Sequence, residues 1–483
     1  MVGEHVFLLS VVVRSMVAMA TTLHRSARIP IRATRAKRRR LFGLLRSAGD
    51  VRTLVLDCNR QLREWKLPSV VTYQGLCREI AGMAFGELDS VGARSVIRRY
   101  SSEWFGAAKR RKAGQHARFP RRKRALLAVR WYHSTFKIDS DRLRIPVARG
   151  APPLVALGRA VPYPPEAIRS VTLLCEAGRL YIDVTAALEP EDHGLDPSLV
   201  AGVDPGIIHP FAGVSCEEAL LVSGRGLRAE CHLHLADAKA RARKMGRKAP
   251  SRGQRGSRRW RKLRRTQARQ EARHRRRIRQ GQHEAARAVL SWAIEHGVGT
   301  LRVGDPEGIC NRDAGRVQNL RVRNWRRTHL IAALRDKAEL AGIEVVEVDE
   351  RGTSSTCPLC RSRVPKPGGR AFACSHCGFR GHRDLVGAAN IAAGGGGVIC
   401  GTNPRIEHRR VGAPPTRRDR RRHRDDERRS CLAHGRRGSQ DPRSRSPKVP
   451  GRRARPSAIR TPAGTPAVGE EPLTGALLKV GEG

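Results

Sequence analysis

The sequence predicts a multidomain α+β protein, and three observations carry that prediction. Between residues 20 and 190, apolar residues at helical spacing give way to runs of period two. From Asp196 onward, strand-like and helix-like runs alternate, the pattern of an α/β domain. Near the far end, two Cys-x-x-Cys pairs stand thirteen residues apart, the spacing of a small metal-bound module. The 483 residues leave room for two to four domains.

Taken in order, Thr21 to Arg35 alternates weakly and predicts a strand. Arg38 to Lys66 places Leu41, Leu44, Leu45, Val51, Leu54 and Leu56 at helical spacing, and Tyr73 to Tyr100 has the same look. Lys109 to Arg124 reads as a basic loop broken by Gly114 and Pro120. Runs such as Phe136-Lys137-Ile138 and Leu180-Tyr181-Ile182-Asp183-Val184 predict antiparallel strands between Leu126 and Leu188. A buried strand over Leu199–Val203 ends at Asp204-Pro205-Gly206, and two further strands are expected at Ala219–Val222 and Leu227–Leu233. A basic helical segment runs from Ala236 to His296, interrupted at Ala249–Gly253. A strand over Gly299–Val303 ends at Gly304-Asp305, a helix spans Leu320 to Leu340, and Ile343–Val348 is a strand. Asp384 to Ala393 closes the folded part as a short helix.

Charge narrows the function classes. Lys and Arg number 95 against 44 Asp and Glu, a net +51 whose self-repulsion calls for a polyanionic partner. Nucleic acid fits, because binding releases counterions along the whole backbone. An anionic membrane surface would need an amphipathic helix or one polybasic cluster, whereas here the charge is spread over the chain. The apolar run Val6–Val13 is interrupted by Arg14, and no run approaches the roughly 20 apolar residues of a membrane span. Lys109, Arg110, Arg111, Lys112, Arg121, Arg122, Arg258, Arg259 and Lys262 are the expected phosphate contacts, with Trp131, Tyr132 and Trp260 as candidate base-stacking platforms. Eight cysteines are scattered without a framework spacing, which suits a reducing cytoplasm, near the nucleoid. The Arg-, Pro-, Gly- and Ser-rich stretch after Gly397 cannot bury enough apolar surface to fold alone.

Two constellations carry chemistry. Cys357, Cys360, Cys374 and Cys377 offer four thiolates, the tetrahedral set preferred by Zn²⁺; a redox pair is the alternative. A site closed by four protein ligands is structural, and His376 is a weaker substitute ligand. The second constellation is acidic. Asp204 ends one strand, Asp305 and Glu307 follow another, and Asp384 opens a helix. Carboxylates converging on Mg²⁺ ions about 4 Å apart are what phosphodiester hydrolysis needs. His209 and His382, nearby in sequence, call for no role beyond loop structure.

The motifs Ala201-Gly202-Val203-Asp204-Pro205-Gly206-Ile207, Val348-Asp349-Glu350-Arg351-Gly352-Thr353-Ser354-Ser355-Thr356-Cys357-Pro358-Leu359-Cys360, Phe372-Ala373-Cys374-Ser375-His376-Cys377-Gly378-Phe379 and His382-Arg383-Asp384-Leu385-Val386-Gly387-Ala388-Ala389-Asn390-Ile391-Ala392 together resemble the TnpB (OrfB) family of insertion-sequence proteins. The resemblance covers about residues 20–395. It implies an RNA-guided, Mg²⁺-dependent DNA endonuclease, kin to small type V CRISPR effectors, that binds guide RNA and double-stranded DNA. It also implies a wedge β-barrel with an inserted helical recognition domain (20–190), between a leader (1–19) and an RNase H-like RuvC core (196–353 and 381–395). A zinc ribbon (354–380) interrupts that core, and a disordered basic tail (396–483) follows it. The resemblance makes Asp204 and Asp384 the first and last catalytic acids.

One departure stands out. The family usually carries a Glu where this chain has Gly304. A one-residue shift along a strand points to the opposite face. Asp305 is the first candidate replacement, then Glu307, then Asp313. The alternatives are a guide-directed binding protein that has lost cleavage and a decayed transposon reading frame. The cysteine reading makes its own prediction: Cys357→Ser or Cys374→Ser loses zinc and destabilises the C-terminal core. Zinc stoichiometry and thermal denaturation check it, and retained stoichiometry would count against the ribbon.

Overall fold

The structure is a computed structural model that describes residues 22–121, 124–216, 218–305, 313, 315–365, 369–394 and 404–411. The expected leader, Arg122, Glu307 and all of the tail except 404–411 lie outside the described residues. Among those described, no helix is long and apolar enough to cross a membrane.

The first part is a seven-stranded sheet with helices on it. Strand β1 (Leu23–Arg32) leads into α1 (Arg35–Glu64), α2 (Tyr73–Glu79) and α3 (Ser90–Lys112). Six short strands follow: β2 (Val129–Tyr132), β3 (Lys137–Asp139), β4 (Arg142–Arg144), β5 (Leu154–Leu157), β6 (Ile168–Glu176) and β7 (Arg179–Leu188). Thr34 caps α1 by accepting from the Lys37 amide, and its apolar face buries Leu41, Leu44, Leu45, Ala48, Val51 and Val55. The same core holds Trp131, fully buried with its indole N–H donated to Asp89 at 2.8 Å. Trp131 is therefore a packing residue and not a stacking platform. The strand order is β2-β6-β7-β1-β5-β4-β3. β1 pairs with β7 along most of its length and with β5 only at its end, so the sheet curls. The edge strands β2 and β3 do not pair with each other, which corrects the closed barrel to an open, half-barrel sheet. β3, β4 and β5 have only three or four residues each, too few ladder bonds to close the ring.

The second part is a six-stranded mixed sheet. It comprises β8 (Asp196–Asp204), β9 (Phe211–Ser215), β10 (Glu218–Ser223), β11 (Val298–Asp305), β12 (Glu344–Asp349) and β15 (Arg405–Arg410), in the order β12-β11-β8-β9-β10-β15. Five helices accompany it: α4 (Arg225–Gly246), α5 (Arg258–Glu295), α6 (Arg316–Trp325), α7 (Arg327–Leu340) and α8 (Arg383–Ala393). Between β12 and α8 lies a hairpin, β13 (Ala371–Ala373) and β14 (Arg380–His382).

Four expectations are corrected. Leu227–Leu233 is the start of α4 and not a strand: Leu227, Cys231 and Leu235 repeat every fourth residue, a helical stripe. The second strand of the sheet is instead Phe211–Ser215, a fully buried run with no polar alternation to announce it. The helix expected over 320–340 is two helices, broken at Arg326 in the left-handed region with φ 52. Finally, Arg405–Arg410, read as tail, pairs parallel with β10, and Val411 joins the core. Three of these strand residues are arginines, so composition suggests solvent where an edge position suffices. Lys109–Lys112, read as loop, are the exposed last turn of α3.

Alternation along the strands divides the sheet into two faces. Ala201, Val203, Leu220, Val222, Leu301 and Val303 pack toward α5 and α7, while Ala212, Val214, Ala219 and Leu221 pack under α8. Gly202, next to Ala201, lies on the α8 face, where an added Cβ would stand 2.0 Å from the Ala388 carbonyl oxygen and 2.4 Å from the Ala392 nitrogen. Helix and strand thus touch backbone to backbone. Gly202→Ala is expected to push α8 off the sheet and cost about 3 kcal/mol. Denaturant unfolding of the full chain measures it, and an unchanged midpoint would refute the contact.

Candidate active site and metal centre

The four predicted cysteines come together. Their sulfurs all lie within 4.8 Å of one another, with Cys357–Cys377 at 3.6 Å and Cys360–Cys374 at 3.5 Å. Four Zn–S bonds of about 2.3 Å in a tetrahedron would set the sulfurs about 3.8 Å apart, so the cluster fits that ion. Two tight turns shape it. The Cys357 amide donates to the Ser362 carbonyl at 2.9 Å and the Cys374 amide to the Phe379 carbonyl at 2.8 Å. Gly378 takes a φ of +75 in the second turn, a conformation that suits glycine. Phe372, Val364 and Val386 pack against the buried Cys357 and Cys374. Burial pushes the Cys357 thiol up, while hydrogen bonds from Ser362 hold Cys360 down. His376 is exposed and stands outside the four-sulfur group.

Asn390 ties this module to the sheet. Its amide donates to the Thr353 carbonyl at 2.7 Å and the Thr356 carbonyl at 2.8 Å, and its oxygen accepts from Arg361 at 2.9 Å. The segment entering the first knuckle is thereby pinned to α8, the helix that carries Asp384.

Asp204 and Asp384 meet on the α8 face. Asp204 lies in β8 two residues past Gly202, on the same side. A Cβ on Gly387 would stand 2.8 Å from an Asp204 carboxylate oxygen, so glycine there lets α8 settle over the acid. Burial, followed by the carboxylates of Glu350 and Asp384, pushes Asp204 up to about 8. Asp384 is displaced the other way. Burial acts to raise it, but the His209 hydrogen bond and the Arg370 charge hold it below its ordinary value. His209 Nδ1 stands 2.8 Å from one Asp384 oxygen, and Arg370 forms an ion pair with the other. His382 accepts from the Asp384 amide and caps the helix. Both histidines, read from sequence as loop residues, thus act directly on Asp384.

Among the described candidates for the missing acid, neither Asp305 nor Asp313 stands on the Asp204 face; Glu307 lies outside the described residues. Asp305 follows Gly304 and points to the other face, where it forms an ion pair with Arg327 of α7. Asp313 is exposed and caps a local turn through Gly315 and Asn319. The carboxylate that stands beside Gly304 is Glu350, just past β12. A Cβ on Gly304 would meet a Glu350 carboxylate oxygen at 2.9 Å and its Cβ at 3.2 Å. The register explains this. Gly304 pairs with Val348 in the parallel ladder, and Glu350, two residues on, shares that face. That signal lies in strand pairing, which a single strand read alone does not reveal.

The predicted phosphate contacts Lys109, Arg110, Arg111, Lys112, Arg121, Arg258, Arg259 and Lys262 are all exposed. They belong to two separate segments, the end of α3 with its following loop and the start of α5. Trp260, half-buried, has the Arg264 guanidinium 4.9 Å from its ring centroid.

Part of the chain resembles known proteins. Residues 328–391, which span α7, β12, the cysteine module and most of α8, match a family model described as Cas12f1-like, TNB domain. Over 112 residues the chain is 33% identical to the CRISPR-associated endodeoxyribonuclease Cas12f1 of Sulfoacidibacillus thermotolerans, covering 23% of this chain and 25% of that protein. Over 121 residues it is 26% identical to a TnpB-like protein of Methanocaldococcus jannaschii, covering 25% of this chain and 43% of that one. The matched stretch thus spans about a quarter of the Cas12f1 relative and less than half of the TnpB-like one. Among solved structures, a chain of the Cas12f1–sgRNA–target DNA complex shares the fold, with a TM-score of 0.50 and 13% identity over 74% of this chain and 83% of that one. Over about a quarter of its length the chain is similar to Cas12f1 and TnpB-like proteins.

The raised Asp204 has a measurable consequence. The folded chain keeps this proton up to about pH 8, whereas the unfolded chain releases it near 3.8. The folded state therefore binds more protons in that window, and stability falls as pH rises through it. Without added divalent cation, Asp204→Asn is expected to melt above the parent protein by a margin that grows from pH 5 to 8 and then levels. Thermal denaturation across pH checks this, and parallel curves would contradict it.

Proposed function

We propose that the chain is an RNA-guided, divalent-metal-dependent DNA endonuclease encoded by a mobile element, with Asp204, Glu350 and Asp384 as its metal-binding carboxylates. The observation that carries this reading is Glu350 standing over Gly304, on the sheet face that Asp204 and α8 share. Three carboxylates on one face make a hard-oxygen donor set suited to Mg²⁺. When bound, the cations would activate a water and stabilise the leaving oxygen of the phosphodiester. The chain's own residues supply the rest. Gly202 and Gly387 seat α8 so that Asp384 and Asp204 stay adjacent. His209 fixes the orientation of the Asp384 carboxylate, which pairs with Arg370 and would be among the groups that hold the cation. A bound cation would favour the ionised form of Asp204, whose proton would pass to solvent, and would offset the cost of crowding that carboxylate against Glu350.

The four cysteines would hold a structural Zn²⁺, with Asn390 linking that module to the catalytic helix. The 20–190 region would act as wedge and recognition domain on guide RNA and double-stranded target DNA. The exposed arginines and lysines of α3 and α5 would make the phosphate contacts. We place the protein in the cytoplasm, at the nucleoid. A binding-only descendant rests on the lost strand-end acid, and Glu350 weakens that case.

The test is Mg²⁺-dependent cleavage of plasmid DNA by protein co-expressed with RNA from its own 3′ flank. Asp204→Ala, Glu350→Ala and Asp384→Ala are each expected to abolish cleavage while keeping guide binding, and Asp305→Ala to retain it. Loss in Asp305→Ala with activity kept in Glu350→Ala would return the role to Asp305. Guide-dependent binding without cleavage by the parent protein would leave the binding-only reading.

A further inference from the structure

A cavity of about 370 Å³ opens beside the carboxylates, between the start of α4 and the paired helices α6 and α7. That volume falls in the range of small-molecule sites. Its wall is divided in two. Leu227, Leu330 and Trp325 supply an apolar part, and Arg228, Arg321 and Arg370 supply a cationic part. The rim includes Val317 and Leu320, which are 65% and 44% exposed, unusual for residues of that size. Two donors in this lining are buried with no acceptor among the described residues, the Nε–H of Arg228 and the indole N–H of Trp325. Unmet buried donors are costly and point to a missing acceptor. The arginines also crowd one another: burial, with the charges of Arg225, Arg370 and Arg321, holds the Arg228 guanidinium below its ordinary value. The cavity adjoins the candidate site on both sides. Gly206 in its wall is two residues from Asp204, and Arg370 is the cation paired with Asp384.

We propose that this cavity binds one unpaired nucleotide of the DNA strand presented to the carboxylates, its base on the apolar wall and its phosphate on the arginines. This rests on the reading of Asp204, Glu350 and Asp384 as a phosphodiester-cleaving centre, and it adds how the strand is held there. A base supplies an apolar face for Trp325 and Leu227, and ring acceptors for the buried N–H groups. A phosphate supplies an anion for Arg228 and Arg321, beside the Arg370 that already pairs with Asp384. A purely apolar ligand would leave the cationic wall unused. Recognition is by stacking and charge, so it tolerates any base.

The test compares two single strands of equal charge, a dT oligonucleotide of about 12 nucleotides and its abasic counterpart. Binding to the full-length, zinc-loaded protein is measured without added divalent cation. The base-bearing strand is expected to bind about tenfold more tightly. Trp325→Ala is expected to bring that ratio close to one, Trp325→Phe to preserve most of it, and Trp260→Ala to leave it unchanged. Arg321→Gln, at an exposed position, is expected to weaken both strands alike. An unchanged ratio in a folded Trp325→Ala overturns the proposal and leaves the nuclease reading standing. If Trp325→Ala fails to fold, an unchanged ratio in Trp325→Leu, which removes both the aromatic face and the N–H, overturns it equally. Absence of binding to either strand by the parent protein would overturn the cavity proposal alone, since the nuclease reading is decided by guide-dependent cleavage of plasmid DNA.

Discussion

The close approach of α8 to β8 is the constraint on which the candidate site depends. At Gly202 the helix and strand meet with no side chain between them, and at Gly387 the helix backbone lies over the Asp204 carboxylate. Each contact would be prevented by a single Cβ. Because the helix sits this low, its first turn brings Asp384 to the end of β8, and its far side brings Ile391 over Gly304. Arg302 completes the seam by donating to the Ala392 carbonyl at 2.6 Å. A longer side chain anywhere along this line would separate the acids before it disturbed the remainder of the core.

Electrostatics then divide the two aspartates. Asp204 has carboxylate neighbours in a buried place, whereas Asp384 has a histidine and an arginine. The same backbone seam therefore produces one acid that resists ionisation and one that favours it. Opposed environments of this kind are common where chemistry is done, because folding alone gains nothing from crowding carboxylates. The surrounding +51 charge makes an anionic partner the natural relief for the surface.

Much of this was legible in the sequence. The four cysteines, Asp204 at a strand end and Asp384 at a helix start were all readable, because their spacing is local. Glu350 was not readable, because its role depends on the parallel register between β11 and β12, two strands joined through a long crossover. The sequence did warn that Asp305 would face away, yet it could not name what would face inward. His209 was hidden for a related reason: it lies 175 residues from its partner Asp384. β15 was hidden by composition, since an edge strand rich in arginine reads as tail. The break at Arg326 carries no glycine or proline to announce it.

The cysteine module occupies a consequential place in the chain. It is inserted between Glu350 and Asp384, and Asn390 clamps its entry segment to α8. Two of the three acids therefore owe their separation to a loop whose shape is set by thiolates. With zinc held by the four thiols, as proposed, its loss would loosen both flanks at once, so a change made well outside the acids would reach them through the chain itself.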